Sequence, residues 1–567
     1  MNKQEKLKKI SIGVEDFKEI IDKDGYFVDK TLMIKKLIES NAMVTLFTRP
    51  RRFGKTLNQF MIRRFFEDER TEKGEKVDNG YLFDGLKIAE CGEEILSHRQ
   101  QYPVIFLTLK SAKQPTYEMA YACLVDEICK EFERHSYVLQ GEMSQRNREI
   151  FERISLGKGS DDEYATAFAF LSECLFKYHK KKAIILIDEY DVPLENAYFR
   201  GFYDEMIDFI RSLFESALKT NPYLEKSVIT GCLRISKESI FTGLNNLETD
   251  SVLHTRYGDS FGFTQEEVEE LLAYYGLSEQ LEEVKKWYDG YLFNDFEIYN
   301  PWSILKYVND RKDHVTEFAL PYWSNTSSNS IVREMVGEAD EMAKADLETL
   351  MAGGTIEKPV HEDITYGDIH QTQDNLWNFL FFTGYLKKVG ERTVGNNLWL
   401  EMKIPNIEVA TIYENSISYW FEQRMKETDR SPLVRALEDG DCEVAENFIN
   451  EQLFDTISYF DYAESYYHGF MAGLLKNAGR YAVYSNRESG NGRPDIVMTE
   501  SKFRGRAMIL ELKISDTIQG MEKKCEEALT QINEQKYAIP LEDDGYQPIL
   551  KYAICFFKKG CMVKKAE

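Results

Sequence analysis

Short, unbroken apolar runs alternate with longer amphipathic stretches through the first half of the chain. Ala42 to Phe47, Pro103 to Leu107, Ala183 to Ile187 and Ser227 to Thr230 lack the polar alternation of a sheet with one wet face. They predict strands buried on both sides, as in a parallel sheet. Between them, Asn58 to Glu67 and Tyr203 to Lys219 repeat apolar residues at the helical period. The pattern is that of an α/β domain with helices flanking its sheet. The polar break Leu156 to Asp162 predicts a loop within this domain.

Past residue 263 the strand signals thin out. Glu266 to Tyr275 and Glu279 to Tyr288 carry helical spacing and lead into the Trp/Tyr-rich stretch Trp287 to Trp302. That stretch reads as the core of a helical lid, with base stacking as the alternative. Trp377 to Leu386 is apolar and Leu398 to Leu400 is strand-like, which predicts a small accessory module of winged-helix type. A last α/β unit begins near Thr456. The expected organisation is a parallel-sheet domain over 1–262, a helical region over 263–330, an accessory module over 331–455 and a second α/β domain over 456–567.

Composition narrows the class. The chain has 567 residues, 43% hydrophobic and 13% aromatic, enough for several buried cores. No run reaches the length of a membrane span, and the charged start has no apolar segment behind it. Nine cysteines without a CxxC pair read as reduced thiols of a cytoplasmic protein. The net charge of −25 excludes a surface built for indiscriminate nucleic-acid binding. Residues 456–567 hold 16 Lys and Arg against 15 Asp and Glu, a net charge of +1. That portion alone approaches a polyanion without heavy repulsion.

The first apolar strand runs into Thr48-Arg49-Pro50-Arg51-Arg52-Phe53-Gly54-Lys55-Thr56, followed by a helical pattern. This is the second half of a GxxxxGK[ST] phosphate loop, with Arg49 where the first glycine is expected. Backbone N–H groups of Arg52, Phe53 and Gly54 would surround phosphates, Lys55 would reach the β/γ oxygens, and Thr56 would ligate Mg²⁺. The third strand ends in Asp188-Glu189-Tyr190-Asp191, two acids at the carboxyl end where α/β sheets bind ligands. Asp188 would hold Mg²⁺ and Glu189 would polarise the attacking water. A solvated acidic turn is the plainer reading, but the two half-motifs stand in the right order. The fourth strand leads to Arg234, read as a γ-phosphate sensor or as an ordinary strand exit.

These residues resemble the AAA-ATPase-like family of bacterial proteins. The resemblance covers Tyr26 to Thr31, Arg49 to Thr56, Asp188 to Asp191, Ser236 to Asn246, Trp287 to Tyr291 and Tyr299 to Ser303. It implies an archaeal-type AAA+ ATPase that binds ATP and Mg²⁺ through a loop of the form RPRRFGK[ST]. It also implies a C-terminal restriction-endonuclease-like domain, and a segment around Asp29 and Lys30 that flanks the base.

Such a domain has its own signature here. Tyr467, Phe470, Met471 and Leu474 share a helical stripe with Glu464 one turn earlier, and Tyr481 to Ser485 follows as a strand. A glycine-rich turn, Arg487 to Pro494, then delivers Asp495 to a strand start. Glu511 and Lys513, two apart in the apolar strand Met508 to Lys513, project from one side. Asp495 and Glu511 would hold Mg²⁺, with Glu464 as a further ligand. Lys513 would position or deprotonate the attacking water, and Gln531, on the next helix, would support the site. Acid-x-Lys alone says little, since Asp16-Phe17-Lys18 and Glu401-Met402-Lys403 also fit, and a surface ion pair is the plain alternative. The order helix, strand, Asp-strand, Glu-x-Lys strand, helix resembles the PD-(D/E)XK nuclease superfamily. His468 on the same helix reads as a packed core residue.

The sequence thus points to a P-loop ATPase coupled to a Mg²⁺-dependent nuclease acting on nucleic acid, DNA in particular, in a chain that forms homo-oligomers and has no membrane part. The alternative is a regulatory, STAND-like NTPase switch whose C-terminal domain binds DNA or a partner without cutting.

Overall fold

The computed structural model describes residues 7–219, 221–233, 240–241, 246–314, 318–323, 330–362, 372–454, 464–476, 479–485, 492–502 and 504–566. The chain folds into two compact units, one of residues 1–328 with 356–411 and one of residues 329–355 with 412–567.

The first unit is built on five parallel strands: β1 (Val44–Thr48), β2 (Val104–Thr108), β3 (Ala183–Asp188), β4 (Leu224–Gly231) and β5 (Leu247–Asp250), in the order β2-β3-β4-β1-β5. Every residue of β1 and β3 is buried, as their apolar runs require. The helices Lys55–Phe66 and Tyr203–Phe214 match the helical spacing, and the loop after Leu156 ends at Ser160, which caps the short helix Asp161–Ala165 with a capping box. β5 has no apolar run to announce it: its sequence is Leu-Glu-Thr-Asp, with Glu248 exposed on the sheet edge.

The region 263–330 is not wholly helical. The helices Gln265–Tyr274 and Leu281–Tyr288 are flanked in sequence by the strands of an antiparallel sheet, β6 (Phe263–Thr264) before them and β7 (Tyr291–Phe293) and β8 (Phe296–Tyr299) after, ordered β6-β8-β7. The aromatic stretch forms that hairpin. Tyr288, Tyr299 and Tyr307 pack with Val268, Leu271 and Ile304 in one buried cluster.

The stretch 331–455 does not hold together as one module. Residues 356–411 belong to the first unit, where β9 (Ile356–Val360), β10 (Lys387–Val394) and β11 (Asn397–Lys403) form a sheet ordered β10-β11-β9. Polar ties fix it there. Glu408, fully buried, accepts from Ser303 Oγ at 2.8 Å and Trp323 N at 2.7 Å, and Asn406 donates to Asp289 O at 2.7 Å. The apolar run expected before the hairpin is the buried helix Gln373–Phe382, packed on β9.

The second unit holds a five-stranded mixed sheet, β12 (Tyr481–Ser485), β13 (Ile496–Glu500), β14 (Ala507–Ile514), β15 (Ile549–Phe557) and β16 (Gly560–Lys565), in sequential order. Only β14 and β15 run parallel. Alternation along β14 sends Met508, Leu510 and Leu512 into the core under the helix Glu464–Leu475. Ala507 and Ile509 pack on the opposite face, against the helix Met521–Glu534.

Candidate functional site

In the first unit the phosphate loop joins β1 to the helix Lys55–Phe66. Gly54 caps that helix at φ +83°, a left-handed conformation that favours glycine. Arg52 precedes it at φ +71°. Arg49 is a structural residue. Its guanidinium is fully buried, donates to Thr48 O at 2.9 Å and Asp250 O at 2.8 Å, and pairs with Asp250 Oδ1 at 2.5 Å. It also lies between the rings of Phe261 and Phe293, 5.0 and 5.3 Å from their centres. The side chain where a glycine was expected therefore ties β1 to the end of β5.

Lys55 Nζ donates to Arg49 O and Pro50 O, each at 2.9 Å, and lies 3.5 Å from Cys232 Sγ. Thr56 Oγ1 donates to Asp188 Oδ2 at 2.7 Å, and Thr230 Oγ1 to Asp188 Oδ1 at 2.5 Å. The hydroxyl and carboxylate assigned to one Mg²⁺ are thus already in contact. Burial pushes the Asp188 carboxyl above the usual range. Glu189 follows at φ +53°, a sparsely populated conformation for a non-glycine residue, at the mouth of the site.

Arg52, Gly54, Lys55, Thr56 and Glu189 line a cavity of about 380 Å³, within the range of small-molecule sites, with Asp188 buried behind Thr56. Ile12, Val14 and Phe27 give it an apolar wall, and Lys110 and Lys113, from the exit of β2, add cations that the sequence reading missed. Their signal was positional: β2 ends on the same carboxyl edge as β1 and β3. Phe53 turns its ring inward against Tyr291 and Phe293, at 4.9 and 5.3 Å, so it offers the site only its backbone. Arg52 stacks on Trp302 at 4.3 Å, which gives the aromatic stretch a contact with the loop. Asp29 caps Thr31 and Lys87 N, while the buried Lys30 pairs with Glu267 at 2.5 Å. Arg234 lies outside the described residues.

In the second unit Asp495, Glu511, Lys513 and Gln531 come together. Asp495 Oδ2 accepts from Leu512 N at 2.8 Å. Glu511 is 2% exposed, and its Oε1 accepts from Lys513 Nζ at 3.4 Å and from Gln531 Nε2. Its Oε2 is buried and has no hydrogen-bond partner. Burial, reinforced by the charge of Asp495, raises the Glu511 carboxyl to about 7. His468 is not simply packed: its Nε2 lies 3.1 Å from Asp495 O and 3.0 Å from Ser485 Oγ. When Nε2 carries the proton it donates to Asp495 O, and when it does not it accepts from Ser485 Oγ. Glu464 opens the helix Glu464–Leu475, but its side chain lies outside the described residues, as do Arg487 to Asn491 of the glycine-rich turn. Among the described residues no group of three or more His, Cys, Asp or Glu side chains converges as a metal site. The decoys are elsewhere: Asp16 caps a helix, and Glu401 is exposed on β11.

Comparison with known proteins agrees with this division. Residues 11–241 match the family described as predicted AAA-ATPase, and residues 462–566 match the PD-(D/E)XK nuclease superfamily. The chain carries an AAA-ATPase-like domain followed by a PD-(D/E)XK nuclease superfamily domain. It is also similar to an uncharacterized protein in the vnfD 5′ region of Azotobacter chroococcum mcd 1, at 25% identity over 409 residues, 71% of this chain and 68% of that one.

Proposed function

We propose that this chain is an ATPase-coupled, Mg²⁺-dependent nuclease. Residues 1–262 would bind and hydrolyse ATP, residues 263–455 would connect the activities, with 356–411 folded into the first unit, and residues 456–567 would cut phosphodiester bonds in nucleic acid, DNA in particular. The observation that carries the reading is Glu511, whose buried Oε2 lacks a partner beside Lys513. A buried acceptor left in that state costs about 1–3 kcal/mol, a cost that a bound ligand removes.

Hard cations suit such oxygens, so Asp495 and Glu511 fit Mg²⁺, with Glu464 as a further ligand. When bound, Mg²⁺ polarises the phosphate and acidifies water. Gln531 keeps the second oxygen of Glu511 engaged and so fixes the carboxylate plane. Lys513 would position the attacking water and accept or relay its proton. In the first site Lys55 would exchange the carbonyls of Arg49 and Pro50 for β/γ-phosphate oxygens, with Thr56 and Asp188 as Mg²⁺ ligands. Glu189 would orient the water and Arg234 would sense the γ-phosphate. ATP state would then license nucleic-acid engagement, in a cytoplasmic homo-oligomer.

Titration with an ATP analogue and with Mn²⁺ tests both halves separately. Lys55→Ala should weaken nucleotide binding by about tenfold or more while sparing Mn²⁺ binding by the second unit, and Glu511→Ala should do the reverse. Unchanged affinities in both variants contradict the assignment.

A further inference from the structure

The end of β3 carries a third acid, with no role assigned above. Asp191 is 3% exposed and lines the same cavity as Lys55. Its Oδ2 accepts two backbone N–H groups from the exit of β4, Cys232 at 2.7 Å and Leu233 at 3.2 Å. Its Oδ1 is buried without a hydrogen-bond partner. Two further contacts make the same connection. Tyr190 Oη donates to Leu233 O at 2.6 Å, and Tyr190 N donates to Thr230 O at 3.1 Å. The two exits meet so closely that a Cβ on Gly231 would lie 2.5 Å from the Tyr190 ring and 3.0 Å from Asp191 Oδ1. The charged groups facing Asp191 are Lys55 and Arg51, opposed by Glu195, with the Cys232 thiol alongside.

A neutral amide oxygen can accept from the same two N–H groups, though less strongly. An acid placed there also sets a buried negative charge near Lys55, the cation assigned to phosphate. We propose that Asp191 is a positioning residue with two separable effects. Through Oδ2 it holds the exit of β4 at the distance from Lys55 that hydrolysis requires. Through its charge it holds Lys55 in place before nucleotide arrives, and so opposes phosphate binding, while Arg51 is paired with Glu195. This inference rests on the ATPase reading of the same cavity.

Asp191→Asn keeps an oxygen for both amides and removes the charge, whereas Asp191→Ala removes both. With full-length protein, steady-state ATP hydrolysis is measured together with amide hydrogen exchange of the peptide spanning Cys232 and Leu233. Asp191→Ala should lose exchange protection there and lower kcat by about tenfold or more. Asp191→Asn should keep the protection, recover most of kcat, and lower KM by about threefold or more as the opposing charge disappears. Equal kcat in the Ala variant and the unsubstituted chain overturns the positioning role, and so does an Asn variant as impaired as Ala. Unchanged exchange in Asp191→Ala overturns the tie itself. An unsubstituted chain that hydrolyses no ATP overturns the ATPase reading instead, and the exchange data then judge the tie alone.

Discussion

Two buried charged residues outside the candidate chemistry make the first unit's packing testable side chain by side chain. Arg49 neutralises Asp250 in a site with almost no solvent. Removing one partner of such a pair leaves the other charge uncompensated, so Arg49→Ala should destabilise by about 3–5 kcal/mol in urea unfolding. Arg49→Lys should recover little, because one ammonium cannot replace the forked bonds to Thr48 O, Asp250 O and Asp250 Oδ1. Glu408 gives a pH signature. Burial raises its carboxyl to about 7, against the ordinary glutamate value near 4.3. The folded state therefore binds the extra proton more tightly than the unfolded state. The resulting stability is present below about pH 4.3 and is lost as pH rises through 7. Glu408→Gln should flatten that slope, gaining on the order of 1–3 kcal/mol relative to wild type at pH 8 and nothing at pH 4, as read from denaturant titrations. Neither residue declared its role in the sequence. Arg49 read only as the residue standing where a phosphate loop has its first glycine, and Glu408 as one acid among many, because each depends on a partner more than 80 positions away.

At the level of elements, the parallel strands were legible because burial on both faces demands continuous apolar residues. The edge strand β5 was not, since an edge needs little burial and Leu-Glu-Thr-Asp fits a loop equally well. The hairpin β7–β8 was hidden by aromatic residues that suit a helix core and a sheet alike. Alternation along β14 did place Glu511 and Lys513 on one face. It also put them under the helix that carries Gln531, as the register requires. Two glycines at strand exits separate space from conformation. Gly54→Ala meets nothing within 4 Å, so its cost is the left-handed φ alone, about 1–2 kcal/mol. Gly231→Ala drives its Cβ into the Tyr190 ring, and should both destabilise by about 1–3 kcal/mol and weaken ATP binding. Thermal melts with and without nucleotide distinguish them: Gly54→Ala should retain more of its nucleotide-dependent rise in Tm than Gly231→Ala.

For the molecule as a whole, the sequence pointed to two candidate phosphate-handling sites in separate α/β domains, and the family matches fall on those same segments. The middle of the chain was the least legible part. Residues 356–411 join the first unit through scattered polar contacts and carry no boundary signal of their own. The central claim is that phosphate chemistry occurs at both sites and that the first governs the second. Its most direct test is cleavage of labelled DNA by the full chain in Mg²⁺, with and without ATP, for wild type, Lys55→Ala, Glu511→Ala and Lys513→Ala. Wild type should cut in an ATP-dependent manner that chelation abolishes, Lys55→Ala should lose the response to ATP, and the other two variants should lose cleavage by about a hundredfold or more. Cleavage that persists undiminished in Glu511→Ala and Lys513→Ala, or that ignores both ATP and Lys55, would contradict the account.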